Sequence, residues 1–263
     1  MSEERVTCRV ENHIAHVRLN RPDKMNALDP AMFDAIIAVG LELRKAAGVR
    51  AVVLSGEGRS FCAGLDTATF ARAPDPAEPP IPERTHGNAN RWQEVAMTWA
   101  KCPVPVIAAV HGVCFGGGLQ IASGADIRVC APDARLAIME MKWGLVPDMG
   151  GFALWRGLVR GDVLRELVYT NREVSGEEAR ALGLVTEVAA DPLARAMELA
   201  EVIAGKNPEA VCEAKRLFGA MSDESMDTLL RLESEAQARV IRRPNQVEAV
   251  MAGVEGRGAR FGS

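Results

Sequence analysis

Three consecutive glycines, Gly116-Gly117-Gly118, follow the apolar run from Val104 to Val110 and precede Leu119-Gln120, so bare backbone N–H groups lie where a strand should hand over to a helix. Glycine removes the Cβ shield and opens backbone angles closed to other residues. The first turn of a helix adds unpaired donors at the positive end of its dipole. Such a joint can stabilise a developing negative charge; a tight turn that lets helix and strand pack closely is the alternative reading of the same residues. A second joint follows Val52-Val53-Leu54-Ser55-Gly56, where the small-residue loop Phe61-Cys62-Ala63-Gly64-Leu65-Asp66 ends in a helix-start signal at Asp66. Two such loops can each aim one N–H at a single oxygen, which is the geometry of an oxyanion hole.

Phe61 to Asp66 and His111 to Gln120 resemble the two signatures of the crotonase superfamily, the enoyl-CoA hydratase and isomerase enzymes. Leu19-Asn20-Arg21-Pro22-Asp23-Lys24-Met25-Asn26-Ala27-Leu28-Asp29 is similar to that family's N-terminal loop on the coenzyme A side, and Ala125-Asp126-Ile127-Arg128 to the strand after its glycine helix. Glu140 to Gly151 looks like its catalytic loop, and Ser175-Gly176-Glu177-Glu178-Ala179 to Val185 like its later helix-to-strand turn. The matches run in order from about Arg5 to Val188. Each is weak alone; the ordered set is specific.

The resemblance implies an α/β fold, a crotonase-like spiral of ββα units over residues 1–190, followed by C-terminal trimerisation helices over 191–263 that also cover the site. It implies an acyl-CoA thioester as substrate, with coenzyme A arriving as part of that substrate, no separate cofactor and no metal. Removing an α-proton from a thioester places charge on the carbonyl oxygen, and the family's pattern assigns the stabilising N–H groups to the backbones of Leu65 and Gly117. Lys24, Asn26, Ala27, Leu28, Ala63, Asp66 and Gln120 are expected at the substrate or its coenzyme A portion, and Arg257 at a phosphate.

Hydratases of the family use two glutamates. Here the later one is present as Glu140, whereas the earlier position is Gln120, whose amide has no proton to give or take near neutral pH. Asp148 lies eight residues past Glu140, with Gly144 and Pro147 between them, which forbid one continuous helix and let the chain turn back. That Glu and Asp spacing is similar to the dienoyl-CoA isomerase branch, which shifts double bonds with such a pair. Hydration of a 2-enoyl thioester by Glu140 is the alternative reaction. The plainer readings are an N-cap for Asp148, a solvated strand position near Lys142 for Glu140, and a satisfied helix polar group for Gln120. Cys62, Cys114 and His111 read as packing or structural residues.

Positioning these loops requires strands and helices in alternation, and the chain supplies them. Val6 to Val10 and Ile14 to Leu19 read as a hairpin. A helix then starts at Asp29-Pro30 with Met32, Phe33, Ile36, Ile37 and Leu41 on its apolar side, and strands follow at Ala51 to Leu54, Val104 to Val110, Ile127 to Cys130 and Leu136 to Met139. After Val185 the pattern is helical, with starts at Asp191-Pro192, Asn207-Pro208 and Arg243-Pro244. The Pro-rich run 73–82 is either a disordered surface insertion or a wall of the acyl pocket that sets substrate length.

A chain of 263 residues buries roughly three quarters of its unfolded surface. A net charge of −4 without a basic stripe argues against capture of nucleic acid or an anionic membrane. With no targeting or transmembrane segment legible, the expected setting is cytoplasmic. The six cysteines have no metal-ligand spacing and read as reduced thiols. A nicotinamide-dependent oxidoreductase would need a G-x-G-x-x-G turn after a strand, which is absent. A catalytically idle binding protein of the same fold is the remaining class, and the retained carboxylates disfavour it.

Overall fold

The computed structural model describes residues 4–71 and 78–262. In chain order its elements are β1 (Val6–Glu11), β2 (Ile14–Leu19), α1 (Pro30–Leu43), β3 (Ala51–Gly56), α2 (Arg91–Ala100), β4 (Val106–Val110), β5 (Val113–Phe115), α3 (Gly117–Ser123), β6 (Ile127–Cys130) and β7 (Arg135–Ala137). There follow α4 (Gly151–Trp155), α5 (Gly161–Thr170), β8 (Val174–Ser175), α6 (Gly176–Ala181), β9 (Glu187–Val188), α7 (Pro192–Ala204), α8 (Pro208–Ala220), α9 (Met226–Val240) and α10 (Pro244–Glu255).

The strands form two sheets. One has the order β1-β2-β3-β4-β6-β9, antiparallel only at the β1/β2 hairpin; the other has the order β5-β7-β8. Alternation along β3 sends Ala51 and Val53 to one side of the large sheet and Val52 and Leu54 to the other. Ala196, Ala200 and Ala204, four residues apart on α7, pack on the first side, where their small side chains let the helix lie close to Val53, Ile107 and Val129. On the second side Phe33 and Ile36 of α1 and Trp99 of α2 cover Val52, Leu54 and Val106. Full burial of each such large side chain contributes about 1.5–3 kcal/mol.

The glycine joint differs from the sequence expectation. The central strand begins at Val106 rather than Val104, and it does not hand over directly to a helix, because β5 intervenes and pairs with β7 in the second sheet. Three residues are too short a run to show a period. Two smaller departures follow the same logic: Leu41 lies at the edge of the α1 face and is 37% exposed, and the strand expected at 136–139 is Arg135–Ala137.

α7, placed by the sequence division with the terminal helices, covers the large sheet. α8 is tied to the core by Lys215, whose buried Nζ donates to the carbonyls of Trp99 at 3.2 Å and Val104 at 2.9 Å and meets Asp126 at 2.7 Å. Among the described residues no helix is long and apolar enough to cross a membrane.

Candidate active site

The two small-residue loops meet. Cys62 pairs with Cys114 as an isolated parallel bridge, with Cys62 N donating to Val113 O at 3.0 Å and Phe115 N to Cys62 O at 3.0 Å. This register sets Gly64-Leu65 beside Gly116-Gly117. Gly64 has φ +87°, and a Cβ there would stand 2.7 Å from the Phe115 carbonyl oxygen; Gly116 has φ +50° as the residue preceding α3. Both positions favour glycine on conformation, and Gly64 on space as well.

The N-terminal loop completes the frame around Leu65. Leu28 N donates to Gly64 O at 2.8 Å and Asp66 N to Leu28 O at 3.0 Å, so Leu65 is held from both sides while its own N–H has no partner among the described residues. Gly117 N–H, at the first position of α3, likewise has none. Two unsatisfied donors on adjoining loops are the arrangement an oxyanion requires. Gly64→Ala is expected to lower stability by about 1–3 kcal/mol through the left-handed backbone and the crowded Phe115 carbonyl, read as a drop in thermal midpoint.

A cavity of about 470 Å³ opens in front of these donors. Ala63, Gly64, Leu65, Gly116 and Gly117 line one part of it, Glu140, Asp148 and Met149 another. Of the seven Phe and four Trp in the chain, Phe33, Phe115, Trp92 and Trp143 face it, an apolar enclosure that strengthens any charge interaction inside. Ile81, from the end of the Pro-rich run, also lines it, and Asn90 Nδ2 donates to the Ile81 carbonyl at 2.7 Å. That end of the run is therefore a cavity wall; residues 73–77 lie outside the described residues.

Glu140 opens a single 3-10 turn, Glu140–Trp143, which Gly144 ends at φ +70° with Leu145 N returning to Glu140 O at 3.0 Å. The chain thus turns back, and Asp148 comes to the same cavity. Glu140 is 9% exposed; its Oε1 accepts from Gln120 at 2.6 Å, and its Oε2 is buried without a hydrogen-bond partner among the described residues. Burial pushes the Glu140 carboxyl up and the nearby Asp148 charge adds to this, while the backbone N–H groups of Glu140 and Met139 and the bond from Gln120 oppose it. Asp148 is exposed at the cavity, where partial desolvation by the surrounding atoms raises its carboxyl too. It is not a helix cap: Gly150 precedes α4 and no side chain caps it. Both carboxyls are therefore biased toward holding a proton relative to free ones.

The remaining expected site residues do not line the cavity. Gln120 is fully buried: its Oε1 accepts from Met149 N at 3.0 Å and Gly151 N at 2.9 Å, which leaves its amide turned to Glu140. Asn26 is also fully buried, accepting from Arg21 N and donating to the carbonyls of Glu57, Ser60 and Phe61, so it braces the N-terminal loop against the second joint. The Arg21 guanidinium, 2.7 Å from Asp66, holds that carboxyl below the usual carboxylate range and also binds the Ala27 carbonyl. Lys24 is exposed on a 3-10 turn. Arg257 is engaged by Glu248 at 2.6 Å and Glu255 at 2.5 Å.

Burial pushes the Cys62 thiol up to about 12, so it is no nucleophile. His111 Nε2 donates to the Gly58 carbonyl at 2.9 Å, a structural bond. The sequence reading missed Trp92 and Trp143 as cavity walls. Periodicity could have placed Trp92 near the start of α2, but nothing local says that this helix faces the loops.

The profile of the enoyl-CoA hydratase/isomerase family matches residues 9–263. The chain is 33% identical to the mitochondrial Delta(3,5)-Delta(2,4)-dienoyl-CoA isomerase of Rattus norvegicus over 93% of its own length and 77% of that protein's. It is 34% identical to a hydroxycinnamoyl-CoA hydratase-lyase of Pseudomonas fluorescens over 81% of its length and 77% of the relative's. Its fold superposes on a crystal structure of an enoyl-CoA hydratase from Mycobacterium smegmatis with a TM-score of 0.87 at 31% identity, covering 98% and 99% of the two chains.

Proposed function

The chain belongs to the enoyl-CoA hydratase/isomerase family, and from that membership we propose that it moves double bonds along a dienoyl-CoA thioester, with Glu140 and Asp148 passing the proton. The observation that carries this reading is the buried carboxyl of Glu140 on a cavity that Asp148 also lines, with two N–H groups nearby that have no partner among the described residues. The substrate brings coenzyme A with it, and no further cofactor is needed.

The chemistry balances within the thioester. Converting a 3,5-diene to a 2,4-diene takes one proton from C2 and adds one to C6, with no redox change and no water. Loss of the C2 proton puts charge on the thioester oxygen, which the N–H groups of Leu65 and Gly117 receive; one such donor is worth about 3–4 kcal/mol in the transition state. One carboxyl must start ionised and the other protonated. Two carboxyls raised by desolvation, one of them further by its neighbour's charge, fit a pair that shares one proton. Gln120 favours this reading over hydration, since the second titratable group that would activate water is an amide bound to backbone.

Incubation with 3,5-dienoyl and 2-enoyl thioesters, followed by ultraviolet spectra and product masses, tests the proposal. A conjugation change at constant mass is expected. Gain of one water on the 2-enoyl thioester, without dienoyl turnover, would instead assign a hydratase working through Glu140.

We further propose a homotrimer, or two trimers paired as a hexamer. Apolar side chains on the last three helices support it: Phe218 on α8, Met226 and Leu230 on α9 and Val254 on α10 are all more than half exposed. Such faces favour closed symmetric association. Light scattering at micromolar concentration should give a mass three or six times that of the 28.3 kDa chain; a monodisperse monomer refutes it.

A further inference from the structure

We propose that Gln120 is a positioning residue that orients the Glu140 carboxylate and ties it to the segment carrying Asp148, acting on the reaction through these groups and not by touching substrate. The inference rests on the proton-transfer role given to Glu140 above.

Three bonds fix the side chain. Oε1 accepts from Met149 N at 3.0 Å and Gly151 N at 2.9 Å, and Nε2 donates to Glu140 Oε1 at 2.6 Å. Two backbone donors on one oxygen leave the amide a single orientation, because the flipped group would set its own N–H bonds against theirs. The approach is built into the backbone as well, since a Cβ at Gly151 would lie 2.7 Å from Gln120 Oε1. Only an amide meets both demands at neutral pH, accepting from two N–H groups on one side and donating to a carboxylate on the other; an ionised carboxylate cannot donate.

Three groups of the site are joined in consequence. Gln120 lies one turn along α3 from Gly117, it holds Glu140, and the first of its two backbone donors, Met149, directly follows Asp148. The donated bond also favours the ionised form of Glu140 against burial and against the charge of Asp148.

Gln120→Glu and Gln120→Met separate the two halves of this role. Gln120→Glu keeps the acceptor for Met149 and Gly151 but faces Glu140 with a second carboxyl, so the pair must retain a proton. The acid limb of kcat should move up by about one pH unit or more, a tenfold change in proton affinity, and activity should return at higher pH. Gln120→Met loses both halves: kcat should fall on the order of a hundredfold at every pH, as for a displaced catalytic group, with KM for the thioester within about threefold of the parent. Carbon-13 titration of the Glu140 carboxyl, without substrate, should show the same upward shift in whichever variant is folded by near-ultraviolet circular dichroism. That titration reads Gln120 on Glu140 even if the chain proves to hydrate instead of isomerise, so the two readings fail separately. An unmoved Glu140 titration, or a raised KM at unchanged kcat in Gln120→Met, overturns the proposal.

Discussion

Glu140→Gln is expected to lower kcat/KM for double-bond transfer by about a thousandfold while leaving the thermal midpoint at pH 8 unchanged or raised. The catalytic loss follows from removing a positioned proton carrier, which typically contributes 10²–10⁴-fold. The stability effect has the opposite sign because burial raises this carboxyl above its ordinary value of 4.5. The folded state therefore binds a proton more tightly than the unfolded chain, and the parent loses stability as pH rises from about 4.5 through the raised value. An amide of the same shape still accepts from Gln120 and is free of this cost. The variant's advantage should grow across that window and vanish below it, which melting curves between pH 4 and pH 8 will show. A midpoint that falls at pH 8 would mean that the Glu140 charge stabilises the fold, against the burial argument.

Asp148→Asn is expected to reduce isomerisation on the order of a hundredfold or more and to barely change substrate binding or the thermal midpoint. The side chain caps no helix and is exposed at the cavity, so an amide of equal volume removes only its proton chemistry. With Glu140 intact, exchange of substrate hydrogen with solvent deuterium should survive at one carbon, C2 or C6, and its position identifies the carbon that Glu140 serves. Full activity on every thioester the parent accepts would leave Glu140 working alone, and hydration would then be the better account.

The α/β class, the hairpin, the Asp29-Pro30 helix start and the joints at 61–66 and 111–120 could be read from local sequence. Alternation, caps and glycines act over a few residues, and the chain states them directly. The same holds for the turn back between Glu140 and Asp148, since Gly144 and Pro147 act on their immediate neighbours. Other features depend on what a residue meets across the fold. β5 was not legible because a three-residue strand has no period and exists only by pairing with β7. The Cys62 and Cys114 register that brings Leu65 beside Gly117 is set by contacts about fifty residues apart in sequence. The polar side chains show the division most clearly. Residue type alone established that Gln120 cannot be a general base, yet its orientation is decided by Met149 and Gly151 on one side and Glu140 on the other. Sequence therefore determined which groups could carry a proton, and tertiary structure decided which of them are buried, oriented and turned to a common cavity, because desolvation and hydrogen-bond direction depend on neighbours that only the folded chain assembles.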